Sequence, residues 1–239
     1  MGNFGEILTD KGKRELECLQ AAVRLISPSD PTHLYLYSAK PNPKPNDFPD
    51  FVFDVWFIEH FQVTSANETS KGDKHKIAEA QFEKDSQEHF DRVKEEYLNS
   101  TPIPGTITTD VLEMDSPEYS YENFIQSFKK NFENHINSLG QYDGDKSVGI
   151  FLVEHTNAKI TIWCDGKFAG FYLIKCDKDL LSYLNGFADK LKYLIYLCHD
   201  SYEVIDFRKI PKMLQNIPAG ISFGAGRYIN QKLNIFLDI

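Results

Sequence analysis

Apolar positions recur along this chain with two periods, and each period predicts a different element. Over residues 11–26, Leu16, Leu19, Val23 and Ile26 are spaced by three and four, which predicts a helix with one apolar face, capped by Asp10. Ser27-Pro28-Ser29-Asp30-Pro31 ends it. HLYLYS at 33–38 alternates and reads as a short strand, and the Pro-rich 40–47 reads as an extended connector. FPDFVFDVWFIEHFQVTS at 48–65 is the most apolar run, rich in aromatic and β-branched residues, and predicts a hairpin at 49–63. A polar loop follows at 65–73, then a long, highly charged helix at 74–98. Three prolines mark 100–117 as loop with a short strand at 107–112. Ser120 caps a helix at 121–139, where Phe124, Phe128, Phe132 and Ile136 form a core stripe. VGIFLVEH at 148–155 is a buried-strand signal, and Asp165-Gly166 joins strands at 159–163 and 168–175. Residues 179–198 read as a third helix with Leu180, Leu184, Phe187, Leu191, Leu194 and Leu197 inward. A strand at 202–207, a short helix to 215 and an edge strand at 233–237 complete the chain. The sum is one α/β domain over 1–239: a central mixed sheet flanked by helices, with a helical insertion at 74–139.

The hairpin run carries acids inside apolar text: Asp50, Asp54 and Glu59, with His60 and Gln62 following. Burying a carboxylate is costly unless it is paired or holds a metal. If Asp54 and Val55 form a two-residue turn, Phe53 faces Trp56 and Asp50 falls opposite Glu59. Directly opposed side chains have Cβ atoms about 4.5–5.5 Å apart. Two carboxylates that close repel, so one takes up a proton or a cation sits between them. A hard cation such as Mg²⁺ suits oxygen ligands of this kind. Asp-Val lacks the glycine that such turns prefer, so the register is the vulnerable step. Glu15 on the first helix, Glu154 at the end of an apolar strand, and the basic group Lys71, Lys74 and Lys76 are further polar candidates.

Pro49-Asp50, a short hairpin and a strand ending in Ile58-Glu59-His60-Phe61-Gln62 resemble the divergent core of the PD-(D/E)xK, or restriction-endonuclease-like, superfamily. That resemblance implies Asp50 and Glu59 as Mg²⁺ ligands, a first-helix acid (Glu15) joining them, and phosphodiester hydrolysis of DNA or RNA. The family's lysine falls at Phe61, where this chain departs from the pattern. Gln62 or Lys71 is then the candidate to orient the attacking water. The competing expectation is a non-catalytic interaction or regulatory protein, of the bacterial immunity type among others, whose acidic surface suits a protein partner.

Composition narrows the field. With 41% hydrophobic and 13% aromatic residues, the chain can build a core and is not expected to be disordered. A net charge of −9 argues against broad nonspecific nucleic-acid binding, which needs a basic surface. No apolar run approaches the roughly 20 residues of a membrane span, and no secretory h-region opens the chain. Four cysteines without a CxxC read as isolated thiols, and the expected location is cytoplasmic. HExxH is absent, and Gly224-Ala225-Gly226 is not followed by a phosphate-loop GK[ST].

Overall fold

The computed structural model describes residues 10–44, 47–67, 74–100, 104–114, 119–144, 149–156, 159–198 and 201–235. In chain order these form α1 (Asp10–Leu25), α2 (Pro31–Ser38), β1 (Lys40–Pro41), β2 (Phe51–Phe53), β3 (Trp56–Thr64), α3 (Lys74–Asn99), β4 (Gly105–Met114), α4 (Tyr121–Gln141) and β5 (Gly149–Thr156). They continue with β6 (Lys159–Cys164), β7 (Lys167–Phe171), α5 (Lys178–Asn185), β8 (Tyr193–Cys198), β9 (Ser201–Asp206), α6 (Ile210–Leu214) and β10 (Ile221–Ile235). The fold is α/β, with a mixed six-stranded sheet flanked by helices. The segment at 74–139, expected as helical, holds α3, the strand β4 and most of α4. Among the described residues no helix is long and apolar enough to cross a membrane.

The chain divides into two compact units. The first comprises Met1–Thr64, Ile125–Thr156 and Leu173–Ala219. Its sheet has the order β1-β2-β3-β5-β8-β9. β3, β5 and β8 run parallel, and β1, β2 and β9 pair antiparallel with their neighbours. Helices cover both faces because the strands are apolar on both. On one face, Cys18, Leu19, Ala22 and Ile26 of α1 and Leu36 of α2 pack on Ile58, Ile150, Leu152, Ile195 and Leu197. On the other, Phe128 and Phe132 of α4 pack on Phe61, and Phe132 also meets Phe151. The helix start at α4 is capped as its sequence predicts, with Asn123 N donating to Ser120 Oγ at 3.0 Å.

The second unit, Ser65–Phe124, Asn157–Tyr172 and Gly220–Ile239, holds the antiparallel sheet β4-β10-β6-β7. The β6–β7 turn forms at Asp165-Gly166, both with positive φ (49° and 75°), as a two-residue hairpin requires. Helix α3 packs on β4 and β10.

Three sequence expectations are corrected. Residues 33–38 belong to a helix, not a strand. Asp30 caps it, its Oδ1 accepting from Thr32 N at 2.8 Å and Thr32 Oγ1 at 2.6 Å, and Pro31 supplies a helix-compatible φ at the first turn. The helix expected over 179–198 stops at Asn185, where Gly186 returns its N–H to the Leu184 and Tyr183 carbonyls, and Tyr193–Cys198 is a strand buried at every position. The final strand begins much earlier than expected: residues 233–235 end the 15-residue β10 and pair with β4, while its first part, Ile221–Gly226, pairs with β6; residues 236 and 237 lie outside the described residues.

Gly149 opens β5 at a site with no room for a side chain. A Cβ there would overlap Cζ of Phe57, whose ring is wedged edge-on against Phe48 and Tyr142 at 5.3 and 5.6 Å. Gly149→Ala is expected to destabilise the protein by about 1–3 kcal/mol, the usual cost of overpacking. Urea denaturation measures this, and an unchanged midpoint would show that the Phe57 ring can move aside.

Candidate functional site

The hairpin forms in the register that places Phe53 opposite Trp56, Val52 opposite Phe57 and Phe51 opposite Ile58. Asp54 supplies the turn despite its missing glycine by adopting φ 50°, a left-handed conformation that Asp tolerates better than most residues. The next pair in that register is Asp50 with Glu59. There the backbone ladder stops. Pro49 has no N–H, and the Pro49 and Asp50 carbonyls are taken by Asn42, through Nδ2 at 2.7 Å and N at 2.8 Å. The two acids replace the missing ladder bonds. Asp50 N donates to Glu59 Oε2 at 3.0 Å, and His60 N donates to Asp50 Oδ2 at 2.8 Å. Both carboxylates are almost wholly enclosed, with side chains 8% and 7% exposed.

Helix α1 brings further charge to the same place. Lys11, Glu15 and Cys18 are spaced by four and three, so they share one helical face. Lys11 Nζ lies 3.0 Å from Glu15 Oε1 and 3.8 Å from Asp50 Oδ1. Three acids (Glu15, Asp50 and Glu59) thus gather around one ammonium whose side chain is 72% exposed. The imbalance shows in the ionisation of Asp50. Burial, reinforced by the charges of Glu59 and Glu15, pushes its carboxyl up to about 7, against the His60 N–H and Lys11. Burial opposes the charge on Lys11, yet Glu15, Asp50 and Glu59 together push its ammonium above the ordinary lysine value.

Side chains alternate along β3, and the polar ones divide accordingly. Glu59 goes with Phe61 toward α4, where its Oε1 meets His135 Nδ1 at 2.6 Å, and the His135 ring stacks on Phe61 at 4.8 Å between centroids. His60 and Gln62 go with Ile58 toward α1. Gln62 is level with Glu154 on the parallel neighbour β5 and donates Nε2 to Glu154 Oε2 at 2.7 Å. His60 Nε2 lies 3.3 Å from the same oxygen. The His60 imidazole, and the Gln62 amide after it, hold the Glu154 carboxyl below the usual range although burial works the other way.

Asp50 and Glu59 therefore come together, whereas Gln62 sits across the strand from Glu59 and is committed to Glu154. Lys71 lies outside the described residues. Phe61, at the place of the motif lysine, is 4% exposed and packed among Phe128, Phe132 and Phe151. The cation nearest Asp50 among the described residues is Lys11, and the partner of Glu59 is His135; sequence reasoning singled out neither. The spacing Lys11-Glu15-Cys18 signals a shared face, and His135 follows Phe132 by three on the α4 stripe. Neither spacing says what that face meets.

No family model matches the chain, and no curated protein or solved structure matches it. The arrangement itself must carry the functional reading. Glu59 uses one lone pair on each oxygen for His135 and the Asp50 N–H, so each oxygen retains acceptor capacity, as does Asp50 Oδ1. Oxygen donors crowded by like charge, with the exposed Lys11 ammonium beside them, are suited to a hard divalent cation such as Mg²⁺.

Proposed function

We propose that the chain is a metal-dependent, nuclease-like phosphodiesterase in which Asp50 and Glu59, with Glu15 beside them, hold Mg²⁺. The observation that carries this reading is the meeting of three carboxylates at one enclosed point: Asp50 and Glu59, paired at the strand ends, with Glu15 and Lys11 of α1 beside Asp50. When bound, Mg²⁺ at these oxygens supplies Lewis-acid polarisation of a phosphate and an acidified water. Lys11, exposed and 3.8 Å from Asp50, is the group available to pair with a phosphate oxygen or to orient the water in place of the motif lysine. His135 fixes the Glu59 carboxylate from behind, and the His60 N–H fixes that of Asp50. DNA or RNA is the substrate class that this chemistry takes.

The test is metal-dependent cleavage of labelled single- and double-stranded DNA and RNA by the full chain, with thermal melting in Mg²⁺ or Mn²⁺ alongside. Cleavage by the wild type and a loss of about 100-fold or more in Asp50→Ala and Glu59→Ala are expected, on the scale of removing one charge-stabilising group. Absence of both a metal-dependent melting shift and cleavage would overturn the reading. One observation favours a second reading: Phe61 fills the motif-lysine position with core aromatic packing. A metal-dependent shift without cleavage of any substrate identifies that outcome, a scaffold that binds metal without turnover and serves a protein partner.

A further inference from the structure

A different set of donors meets on the α1 face of β3. Cys18 of α1, His60 of β3 and Glu154 of β5 each direct one ligand atom to a common point, all within 4.8 Å of one another. The geometry points to a second metal position, for Zn²⁺ or a similar borderline ion, held by the Cys18 sulfur, the His60 imidazole and the Glu154 carboxylate. It is independent of the Asp50–Glu59 reading, sharing no ligand with it.

Four observations support the assignment. First, the donor set is thiolate, imidazole and carboxylate, which selects Zn²⁺ over Mg²⁺. Second, His60 Nε2 is buried and faces Glu154 Oε2 at 3.3 Å, so imidazole nitrogen and carboxylate oxygen already converge in an enclosed place. Third, the three ligands sit on separate elements held by the same core: Cys18, Leu19, Ile58, Ile150 and Leu152 pack as one cluster. The donors are thereby brought together before any ion arrives. Fourth, Gln62 Nε2 donates to Glu154 Oε2 at 2.7 Å and orients the carboxylate, the kind of supporting contact that metal ligands commonly have.

Size and charge also agree. Bonds of about 2.0–2.3 Å to Zn²⁺ place tetrahedral donors roughly 3.3–3.8 Å apart, so the set must close by about 1 Å, within reach of side-chain rotations of Cys18 and Glu154. Ligation sends the Cys18 thiol proton to solvent, and thiolate plus carboxylate then neutralise the dication in a buried place. The Glu154 side chain is 31% exposed, which leaves room for water as the fourth ligand.

The experiment titrates the chelator-stripped full chain with Co²⁺ and then Zn²⁺, read by absorption. One equivalent of Co²⁺ is expected to give a thiolate-to-metal charge-transfer band that Zn²⁺ displaces. Cys18→Ser removes the band, and Glu154→Gln weakens Zn²⁺ binding about 10-fold or more. Asp50→Asn keeps the band, so failure of the Mg²⁺ reading and failure of this one are told apart. If Cys18→Ser does not fold, His60→Gln decides, because it too must lose the site. A folded wild type without the band at saturating Co²⁺, or a Cys18→Ser or His60→Gln variant that binds Zn²⁺ as tightly as the wild type, overturns the assignment.

Discussion

Asp50→Asn is expected to abolish cleavage and the Mg²⁺-dependent rise in melting temperature, and yet to leave the metal-free protein more stable than the wild type at pH 8, by about 1–3 kcal/mol. Loss and gain have one cause. The Asp50 carboxyl is raised from 3.8 to about 7 by burial, Glu59 and Glu15. A folded state that holds this proton more tightly than the unfolded chain loses stability as pH rises from about 4 through about 7. Below that window the wild type and the variant should differ little; above it the wild type carries a buried charge that the amide does not. At about 1.4 kcal/mol per unit the penalty reaches at most about 4 kcal/mol, and the loss of contacts reduces the gain on replacement. That loss is small. Lys11 is 3.8 Å away on a side chain 72% exposed, a pairing weakened by solvent. Asparagine keeps an oxygen for the His60 N–H. Urea denaturation from pH 4.5 to 8.5, with and without Mg²⁺, reads both effects. Parallel curves for the two proteins would show that Asp50 is an ordinary strand-end cap and not one acid too many.

The sequence made the hairpin legible because its register is arithmetic: once Phe53 faces Trp56, Asp50 must come level with Glu59. Turn chemistry argued against this, and the left-handed Asp54 answers the objection. Errors arose where a short apolar run fits both periods. HLYLYS alternates well enough for a strand, but Leu34 and Tyr37 are exposed at 61% and 73%, while Leu36 is buried and Tyr35 packs on the core beside Trp56, the outcome of a capped helix on the surface of a core. Leu191, Leu194 and Leu197 keep helical spacing, yet β8, paired between β5 and β9, is buried on both faces of the sheet, so no polar side of the strand reveals its period. The candidate site was half legible for a similar reason. Local pairing delivers Asp50 and Glu59 from adjacent text, whereas His135 reaches Glu59 from 76 residues away and Lys11 arrives on α1. Helical spacing gives the side on which such residues lie, and only tertiary packing decides what they meet.

Phe132→Ala is expected to cost about 3–5 kcal/mol, the range for deleting a fully buried aromatic ring. Phe132 is 0% exposed, and its ring centroid lies 5.1–5.9 Å from those of Phe187, Phe151, Phe128 and Tyr183. Contacts from α4, α5 and β5 meet at this ring, so the surroundings cannot collapse into the space without moving a helix. At roughly 2–4 °C per kcal/mol for a chain of this size, the melting temperature should fall by about 6–20 °C. The effect should reach the site as well. His135 stands three residues further along α4 and is stacked on Phe61, which itself touches Phe132 edge-on at 6.5 Å. A cavity at 132 loosens the helix that sets His135 against Glu59, so Phe132→Ala should also weaken the Mg²⁺-dependent melting shift. Phe132→Leu, which refills most of the space, should recover much of both losses. A loss below about 1 kcal/mol in the alanine variant would mean that the aromatic layer repacks freely. The position of His135, and with it the carboxylate of Glu59, would then have to be held by something other than this core.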